Sequence, residues 1–488
     1  MDKYFSEYID SLEQLVVASR PAGDFPVSGI SNNSRKIQPS SVFVAIQGTG
    51  KDGHEFIDSA IDSGARAIIH SKDVPAYRNG VGYIKVSDSY SAYARLVECF
   101  HDFPSRMMKI LGITGTNGKT SSVYLLRSIL DAAGFKSGIV TTVCYEWPGH
   151  SEAAARTTPE ASEIQRIFSN IHSAGCSHVI MEASSHALDQ NRIGTVKFAG
   201  AIFTNLTGDH LDYHKDMESY FTAKKILFEN HMTVDGVAVV NADDPFGRRL
   251  AALTKNANCI RFGKDINNDA VMKMRRITQR GTEFDLSLDG RTFHISSPLI
   301  GEHNAYNISG VAILAYKLGI TPEIIQSALE KPIGIPGRLE AFHTKDNVSV
   351  FVDYAHSDDA LQRVLEALLR LKEKRIICVF GCGGDRDKTK RPRMGAVSAK
   401  FADRTIVTSD NPRSEKPEDI ISEIVKGIPS SANFAAVPDR GEAIRQAIGE
   451  AQPGDIVLIA GKGHEDYQEI NGVQHHFDDR EEVRRILN

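Results

Sequence analysis

Along this chain, short apolar runs alternate with amphipathic stretches, and the pattern restarts twice. In the first region, apolar runs at Ser41–Gly48 and Val81–Val86 predict β-strands, and a helical stretch over Tyr90–Asp102 closes the region. A second pattern begins with the apolar run Met107–Ile113, followed by a glycine-rich turn and an amphipathic helix. A third alternation of strands and helices follows the segment IPGRLEAF. We therefore predict an α/β fold with three domains, at residues 1–106, 107–336 and 337–488.

The predicted strands of the second and third regions end abruptly in polar or glycine-rich residues. The apolar runs at His178–Ser185 and Phe198–Leu206 are examples, and later runs lead into GCGGDRD, DNPR and GKGHE. Ligands bind at the carboxyl ends of the strands in open parallel sheets. We therefore expect a mostly parallel sheet in the central domain, a Rossmann-like C-terminal domain, and functional residues on these loops.

Composition and charge exclude several classes of protein. The 488 residues include 57 Lys plus Arg and 62 Asp plus Glu, for a net charge of -5, which is typical of a soluble globular protein. No segment has the basic excess that nucleic-acid binding requires, so we expect no nucleic-acid partner. The start, MDKYFSEYIDSLEQ, does not resemble a secretory signal, and no apolar run approaches ~18 residues. We therefore expect a cytoplasmic protein without membrane insertion.

The strongest chemical signal is a phosphate-binding loop between the second region's first strand and its helix. Its sequence is Gly115-Thr116-Asn117-Gly118-Lys119-Thr120. Glycines allow backbone N–H groups and the helix N-terminus to face phosphate oxygens, while the lysine adds a charge and the threonine hydroxyl can bind Mg²⁺. The general P-loop pattern would place its first glycine at position 113, where this chain has Ile113. The motif predicts phosphate and Mg²⁺ binding by a variant of the usual loop.

That variant, together with motifs along nearly the whole chain, resembles the Mur ligase family of ATP-dependent, amide-forming enzymes of peptidoglycan assembly. The further motifs, in the order of the family, are MEASSHALDQNR, FTNLTGDHLDYH, YFTAKKILF, GEHNAYN, PGRLE, VDYAH, GCGGDRDKTKRP, DNPR and GKGHE. MEASSH, GCGGDRD and GKGHE look like the members that add the third residue of the stem peptide. The resemblance implies a small N-terminal UDP-binding domain, a central P-loop-type ATPase domain and a C-terminal amino-acid-binding domain.

The resemblance also implies a magnesium site and a modified lysine. An anionic ligand is suited to Mg²⁺, and Glu182 at the end of a predicted strand supplies one, although such a residue by itself is more often solvated. By resemblance, Thr120, Glu182 and His210 bind the metal, with Lys119, Glu182, His210 and Lys224 as the catalytic residues. A lysine on a helix is solvated by default, but the matching lysine of the family carries a CO₂-derived carbamate. We therefore expect Lys224 to be carbamylated and to be the fourth metal-site residue.

Nucleotide and sugar contacts follow from the same resemblance. For ATP, it adds Asn304, Arg338 and Asp353 to the phosphate loop. The first region, NNSRKIQPSSVFVAIQG, resembles the stretch that holds the uridine nucleotide, although this chain has Asn33 where the family usually has aspartate. The residues expected to hold the UDP-muramoyl dipeptide are Ser34, Gly50, Lys51, Asp52, Thr157, Thr158, Ser184, Gln190 and Arg192. Arg156 stands where some relatives have asparagine.

The DNPR motif bears on the identity of the amino-acid substrate. A planar guanidinium can bind a carboxylate through two parallel hydrogen bonds, so Arg413 suits an amino acid with a second carboxylate at its far end. This description fits meso-diaminopimelate, and lysine-adding relatives typically lack the arginine. The expected diaminopimelate-binding residues are Arg386, Asp410, Asn411, Pro412, Arg413, Gly461 and Glu465.

The resulting hypothesis is an ATP-dependent ligase that is monomeric and acts on small molecules. It would add meso-diaminopimelate to the D-glutamate side-chain carboxylate of UDP-N-acetylmuramoyl-L-alanyl-D-glutamate through an acyl phosphate. An L-lysine-adding ligase of the same family is the nearest alternative. A P-loop NTPase acting as a kinase or switch would explain GTNGKT but not the later motifs. A catalytically dead homologue is disfavoured because Lys119, Thr120, Glu182, His210 and Lys224 are all present.

Overall fold

The computed structural model describes residues 3–20, 22–48, 51–254, 258–335, 337–344 and 347–487, without the side chains of Glu13, Asp212 and His343. The described strands, in chain order, are β1 Val16–Arg20, β2 Gly29–Ser31, β3 Ser41–Val44, β4 Ala65–His70, β5 Gly82–Val86, β6 Lys109–Thr114, β7 Ser137–Val140, β8 Cys144–Trp147, β9 His150–Ala153, β10 His178–Glu182, β11 Phe198–Phe203, β12 Met232–Asn241, β13 Asn258–Gly263, β14 Ala270–Thr278, β15 Gly281–Leu288, β16 Arg291–Ser297, β17 Glu340–His343, β18 Ser349–Asp353, β19 Ile376–Phe380, β20 Arg404–Val407, β21 Phe434–Ala436, β22 Ile456–Ala460, β23 Tyr467–Ile470 and β24 Val473–His476.

Helices separate most of these strands. The described α-helices are α1 Phe5–Leu12, α2 Ile57–Asp62, α3 Ser89–Phe100, α4 Lys119–Ala132, α5 Ala161–Ser173, α6 Ser185–Asp189, α7 Leu211–His214, α8 Met217–Asn230, α9 Pro245–Leu253, α10 Glu302–Lys317, α11 Pro322–Leu329, α12 Asp358–Leu369, α13 Lys390–Phe401, α14 Pro417–Val425, α15 Arg440–Glu450 and α16 Asp479–Leu487. Within the described ranges, every helix is too short or too polar to span a lipid bilayer.

Two compact units divide the chain. The first comprises Met1–Met272, Leu286–Phe293 and Tyr306–Ala328, and the second comprises Lys273–Asp285, His294–Ala305 and Leu329–Asn488. Strands β14, β15 and β16 and helices α10 and α11 have residues in both units. The three-domain boundaries at 1–106, 107–336 and 337–488 stay a prediction.

The first unit contains an N-terminal sheet in the order β1-β5-β4-β3-β2. Strands β2 to β5 pair in parallel, and β1 pairs antiparallel with β5. All residues of β3 are buried, as expected for a strand covered on both faces. Helix α3 packs its apolar face on this core through residues such as Leu96 and Val97.

The central sheet of the first unit positions the phosphate loop. Its strands from β6 to β13 have the order β13-β12-β11-β6-β10-β7-β8-β9. Strand β6 lies between β11 and β10 and is parallel to both. The register aligns Glu182 of β10 with Ile113 of β6, so the Glu182 carboxylate lies beside the strand end from which the glycine-rich loop leaves.

The second unit contains a six-stranded sheet in the order β17-β18-β22-β19-β20-β21. Strand β17 is antiparallel to β18, and the other pairs are parallel. The carboxyl ends of β18, β22, β19 and β20 therefore lie at one edge of the sheet, and the loops VDYAH, GKGHE, GCGGDRD and DNPR begin there. The prediction of an α/β fold with mostly parallel sheets is confirmed.

Candidate active site

The phosphate loop requires glycine at two positions. Gly115 has φ +145° and Gly118 has φ +86°, a region that L side chains rarely adopt. A Cβ on Gly115 would lie 2.0 Å from the Thr204 hydroxyl, and one on Gly118 would lie 2.2 Å from the Asn307 amide oxygen. Helix α4 begins directly after the loop, and the N–H groups of its first turn have no intrahelical acceptor. The loop thus forms an anion-binding helix N-terminus.

The end of strand β11 fixes the loop from one side. The amides of Thr116 and Asn117 donate to the backbone oxygen and the side-chain oxygen of Asn205, at 2.9 and 3.0 Å. The Thr204 hydroxyl donates to the Asn117 carbonyl at 2.6 Å. These bonds occupy the amides of Thr116 and Asn117, so a phosphate bound here would be met by the amides of the first turn of α4.

Two lysines converge on one carbonyl of this loop. Lys119 Nζ donates to the Gly115 carbonyl at 3.0 Å, and Lys224 Nζ donates to the same oxygen at 2.8 Å. Lys224 is 1% exposed and lies 4.6 Å from the ring centroid of Tyr220. Burial lowers the pKa of Lys224 well below its ordinary value, and the nearby Lys119 lowers it further. The neutral amine of Lys224 is therefore more accessible next to the phosphate loop than it is for a solvated lysine.

Glu182 is a buried carboxylate with threonine partners. Its Oε1 accepts from the Thr120 hydroxyl at 2.8 Å and from the Thr142 amide at 3.0 Å, and its Oε2 accepts from the Thr142 hydroxyl at 3.0 Å. Adjacent hydroxyl and carboxylate oxygens are the hard donors that Mg²⁺ prefers, so Thr120 and Glu182 fit the predicted metal. In the described part of the chain, no cluster of three or more His, Cys, Asp or Glu residues could hold a metal.

His210 lies on the exposed stretch that precedes helix α7. It has φ +55°, and its ring centroid lies 5.0 Å from that of His186 and 6.1 Å from that of Tyr220. The Tyr220 hydroxyl lies 3.3 Å from Thr116 Oγ1, so Tyr220 is a packed neighbour of both His210 and the loop. A role for His210 as a metal ligand stays a prediction.

Residues predicted to hold the muramoyl dipeptide form a network around Glu182. The Thr158 hydroxyl donates to the Glu182 carbonyl at 2.7 Å and accepts from the Ser184 amide at 3.0 Å. Arg192 donates to the Thr158 carbonyl at 3.2 Å and, through Nε, to Gln190 Oε1 at 2.9 Å. The hydroxyl oxygens of Thr142 and Thr157 lie within hydrogen-bonding distance, at 3.1 Å. Positions up to 35 residues apart in sequence, from Thr157 to Arg192, are thereby brought together.

The residues predicted near the uridine lie in the N-terminal sheet region. Ser34 begins a short 3₁₀ turn whose preceding residue, Asn33, accepts from the Arg35 amide at 3.0 Å. Hydrogen bonds from Lys72 and His54 hold the pKa of Asp52 well below its usual range. Lys51 Nζ lies 6.0 Å from the Phe56 ring centroid, and the predicted contact Gly50 lies outside the described residues.

A cavity of about 370 Å³ lies in the same region. Its lining is polar and includes the N-terminus of helix α3; the lining residues are Gln47, Gly48, Ser71, Ser87, Asp88, Ser89 and Tyr90. The Tyr90 hydroxyl donates to the Gln47 carbonyl at 3.0 Å, which closes one side of the cavity.

In the second unit, the residues predicted to contact the nucleotide are held by contacts with neighbouring protein residues. The Asn304 amide donates to the Ile300 carbonyl at 2.9 Å, and the Arg338 guanidinium lies 5.2 Å from the ring centroid of Tyr354. Asp353 accepts from the backbone amides of Leu339 and Ala355, both at 2.8 Å. Burial raises the pKa of Asp353, and Arg338 opposes this shift.

The DNPR and GKGHE loops meet in the second unit. The Asn411 side chain donates through Nδ2 to Glu465 Oε2 at 2.8 Å, and the buried Lys462 donates to Asn411 Oδ1 at 3.1 Å. A Cβ on Gly461 would lie 2.6 Å from the Asp410 carboxylate, so glycine allows the two loops to approach. Pro412 is buried in the same loop, whereas the predicted pocket residue Arg386 is exposed.

Arg413 is already held by protein acceptors. Its Nε donates to Glu469 Oε2 at 3.1 Å, and its Nη1 donates to the Gly384 carbonyl at 2.8 Å. Glu469 belongs to strand β23 of the hairpin that β23 forms with β24. The structure therefore joins the DNPR, GCGGDRD and hairpin segments at this arginine.

Arg440 is a site-supporting residue that sequence reasoning missed. It is 1% exposed, and its Nε and Nη2 donate to the two carboxylate oxygens of Asp479, both at 2.7 Å. The same guanidinium donates to the Ser409 carbonyl at 3.2 Å and to the Ala460 carbonyl at 3.0 Å. These carbonyls immediately precede the DNPR and GKGHE loops. A charged residue at the start of an amphipathic helix is ordinarily solvated. The sequence pattern therefore did not indicate that Arg440 supports the DNPR and GKGHE loops.

Models of three domains of one family match the chain. They are described as the Mur ligase middle domain, at residues 113–315, the Mur ligase glutamate ligase domain, at 337–463, and the Mur ligase family catalytic domain, at 26–100. These matches confirm the predicted three-domain organisation of the fold, though they do not define its exact boundaries.

Curated relatives match over nearly the full chain. The UDP-N-acetylmuramoyl-L-alanyl-D-glutamate--2,6-diaminopimelate ligase of Gloeobacter violaceus is 44% identical over 473 residues, covering 96% of this chain and 95% of the relative. The enzyme of the same name from Synechococcus elongatus is 41% identical over 480 residues, covering 97% and 96%.

Solved structures agree with these relatives. A structure of a ligase of the same name is similar with a TM-score of 0.72 and 32% identity, covering 100% of this chain and 99% of that chain. MurF from Acinetobacter baumannii, at 16% identity and a TM-score of 0.62 over 100% of this chain and 99% of that chain, shares the fold.

Replacing Arg440 with alanine should destabilise the second unit. The substitution Arg440→Ala leaves the buried Asp479 carboxylate without its partner, and breaking a buried pair in this way costs about 3–5 kcal/mol. Unfolding in denaturant, monitored by circular dichroism, measures the loss of unfolding free energy. Arg445→Ala on the same helix is the control, because its contact with Glu482 is 3.9 Å long and Arg445 is exposed, so a change within ~0.5 kcal/mol is expected. Equal unfolding curves for the two variants would contradict the structural role of Arg440.

Proposed function

The chain belongs to the Mur ligase family, and within that family we propose that it is the ATP-dependent ligase that adds meso-diaminopimelate to UDP-N-acetylmuramoyl-L-alanyl-D-glutamate. The observation that carries this proposal is the similarity, over 96% of this chain, to a curated ligase for 2,6-diaminopimelate. The reaction is a step of peptidoglycan precursor synthesis, and the protein acts as a cytoplasmic monomer.

The first chemical step makes the carboxylate reactive. An oxygen of the D-glutamate side-chain carboxylate attacks the γ-phosphorus of ATP, and the bond to the β-γ bridging oxygen breaks. The products are ADP and an acyl phosphate on the D-glutamate side chain. An amino group of diaminopimelate then attacks the acyl carbon, phosphate leaves with the C–O bond electrons, and the nitrogen loses a proton as the amide forms. Both steps bring anionic groups close together. The chain's own cations and backbone amides can neutralise and position these groups.

In the first unit, the residues from Gly115 to Thr120 bind the phosphates. The first-turn amides of α4 and the Lys119 ammonium neutralise charge there. Thr120 and Glu182 hold Mg²⁺, with His210 as a further ligand; when bound, Mg²⁺ neutralises phosphate charge. In the second unit, Asn304, Arg338 and Asp353 contact the nucleotide.

The sugar and peptide parts of the substrate are assigned to further residues of the first unit. Thr157, Thr158, Ser184, Gln190 and Arg192 hold the muramoyl dipeptide, a proposal supported by their shared hydrogen-bond network. Ser34, Gly50, Lys51 and Asp52 hold the uridine nucleotide, and the polar cavity of about 370 Å³ beside helix α3 gives this region room for a polar ligand.

Lys224 carries a carbamate in the active enzyme. Carbamylation joins the neutral amine nitrogen to the carbon of CO₂ and releases one proton, so it requires the unprotonated amine. Burial and the nearby charge of Lys119 favour that form. The product is an anion that would orient the metal site and offset the charge of the adjacent Lys119 ammonium.

In the second unit, Arg386, Asp410, Asn411, Pro412, Arg413, Gly461 and Glu465 form the amino-acid pocket. Arg413 binds the far-end carboxylate of diaminopimelate, and Glu465 suits an ammonium group. A lysine-adding ligase would have no far carboxylate to bind, so the presence of Arg413 favours diaminopimelate.

The defining experiment measures phosphate release with UDP-N-acetylmuramoyl-L-alanyl-D-glutamate, ATP and Mg²⁺. We expect meso-diaminopimelate to stimulate release strongly and L-lysine to stimulate it weakly, because only the former has a carboxylate for Arg413. Stimulation by lysine alone would identify a lysine-adding ligase. Release that is indifferent to any added amino acid would identify an NTPase of another kind.

Replacing Arg413 tests the amino-acid assignment. For Arg413→Ala, we expect KM for diaminopimelate to rise about 30-fold or more, equivalent to ~2 kcal/mol for a lost charged hydrogen-bonded pair, with KM for ATP nearly unchanged. Arg393→Ala is the control, because Arg393 is exposed and pairs with Asp358 at 3.0 Å on the same domain's surface. Equal increases in both KM values for Arg413→Ala would contradict the assignment.

The carbamate is tested by ¹³C NMR after equilibration with ¹³CO₂ at increasing pH. We expect a carbamate signal in the wild type that grows with pH and with CO₂. A higher pH raises the fraction of neutral amine, and added CO₂ raises the concentration of the other reactant. The signal should disappear in Lys224→Gln. Lys225→Gln is the matched control, because Lys225 is paired with Glu229 at 3.0 Å and is more accessible than Lys224. An unmodified Lys224 in the active, Mg²⁺-loaded enzyme would exclude the modification.

A further inference from the structure

A short hairpin holds the side chain of Arg413. Strand β23 contributes Glu469, whose Oε2 accepts from Arg413 Nε at 3.1 Å. On the other side, the Gly384 carbonyl accepts from Arg413 Nη1 at 2.8 Å. The guanidinium is therefore fixed by acceptors from two separate chain segments.

The same hairpin holds the backbone of Arg413. The Arg413 amide donates to the Glu469 carbonyl at 3.0 Å, and the Asn471 amide donates to the Arg413 carbonyl at 2.7 Å. Arg413 has φ +53°, a left-handed conformation that is uncommon for a side chain of its size. Since a residue persists in such a conformation only when its surroundings determine it, the hairpin sets both the backbone and the side chain.

The geometry leaves a pair of donors suited to one carboxylate. A guanidinium has five N–H donors in a rigid planar fork. Glu469 and Gly384 engage one donor on Nε and one on Nη1. The other donors are one on Nη1 and two on Nη2, and the edge between these two nitrogens is one of the two guanidinium edges that can bind a carboxylate through two parallel hydrogen bonds. Fixing the Nε edge therefore also fixes the direction of the carboxylate-binding edge.

The loop surrounding Arg413 limits other orientations. A Cβ on Gly383 would lie 2.9 Å from Arg413 Nη1, so the loop passes directly against the guanidinium. The hairpin is also bonded to the DNPR loop, because the Glu469 backbone amide donates to Asn411 Oδ1 at 3.0 Å and the Gln468 side chain donates through Nε2 to the Asp410 carbonyl at 2.7 Å. Glu469 thus belongs to the structure that shapes the pocket.

We propose that Glu469 is a positioning residue for amino-acid selection: its carboxylate orients Arg413 so that the Nη edge receives the far-end carboxylate of the incoming amino acid. This inference rests on the proposed function. Glu469 does not touch the substrate and acts only through Arg413.

An ordinary surface ion pair would have a different signature. The side chains of Arg413 and Glu469 are 21% and 27% exposed, and pairs with this much solvent contact contribute little to folding stability. Positioning predicts a large effect on KM for diaminopimelate and a small one on unfolding. A Glu469 that merely competes with the substrate for Arg413 predicts the opposite sign, because its removal would then lower KM.

The test compares Glu469→Ala, Glu469→Gln and the control Gln474→Ala in the purified full-length enzyme. Gln474 lies opposite Glu469 in the hairpin register and is exposed, so its substitution preserves the pocket. For Glu469→Ala, we expect KM for diaminopimelate to rise about 10-fold or more, since small misplacements of a binding group have effects of this order. We expect kcat, KM for ATP and the thermal midpoint to stay near wild type. Glu469→Gln should restore most of the affinity, because its amide oxygen still accepts from Nε.

A second set of variants separates positioning from a general structural effect. In an Arg413→Ala background, Glu469→Ala should cause no additional increase in KM for diaminopimelate, because its effect is transmitted only through Arg413. Additive effects would overturn the inference, as would an unchanged or lowered KM in Glu469→Ala. Wild-type enzyme without diaminopimelate-dependent phosphate release would instead remove the proposed function itself, and the inference with it.

Discussion

The need to satisfy one buried carboxylate, that of Glu182, organises much of the first unit. A carboxylate removed from water must be hydrogen-bonded, and here a hydroxyl of the phosphate loop and both donors of Thr142 provide those bonds. The backbone oxygen of Glu182 accepts a hydrogen bond from the Thr158 hydroxyl, and the Thr158 hydroxyl in turn accepts one from the Ser184 amide. One residue at a strand end therefore links the phosphate loop to the segments assigned to the sugar-peptide substrate.

The need to compensate buried charge also accounts for the surroundings of Lys119, Lys224 and Arg440. Lys119 and Lys224 share the Gly115 carbonyl, an arrangement in which two cations would repel each other unless one is neutral or an anion lies nearby. In the second unit, Arg440 can be buried only because Asp479 and two carbonyls accept from it. In each unit, a buried charge fixes loops to which we assign contacts with polar ligands.

Sequence patterns predicted the parts of the fold that have strong local signals. The buried strands β6, β10 and β11 are continuous apolar runs, and the glycine-rich loop after β6 follows from its composition. Strand β9 is different, because it has almost no buried residues, and its pairing with β8 is set by a hairpin rather than by hydrophobicity.

The candidate site divides in the same way. Positions in recognisable motifs, such as Thr120 and Glu182, could be named and are in contact in the structure. The burial of Lys224 depends on tertiary packing, and its sequence next to Lys225 gives no local sign of it. Glu469 and Arg440 lie outside the motifs, and their importance follows from contacts with residues 56 and 31 positions away.

The placement of the hairpin β23–β24 has an evolutionary consequence. It forms a separate two-stranded sheet, so its residues do not belong to the parallel sheet that supports the second unit. Mutations in it can change how Arg413, to which we assign amino-acid selection, is oriented while the six-stranded core is left intact. A lineage could therefore alter its choice of amino acid by drift in a short surface element, without rebuilding the domain that performs the reaction.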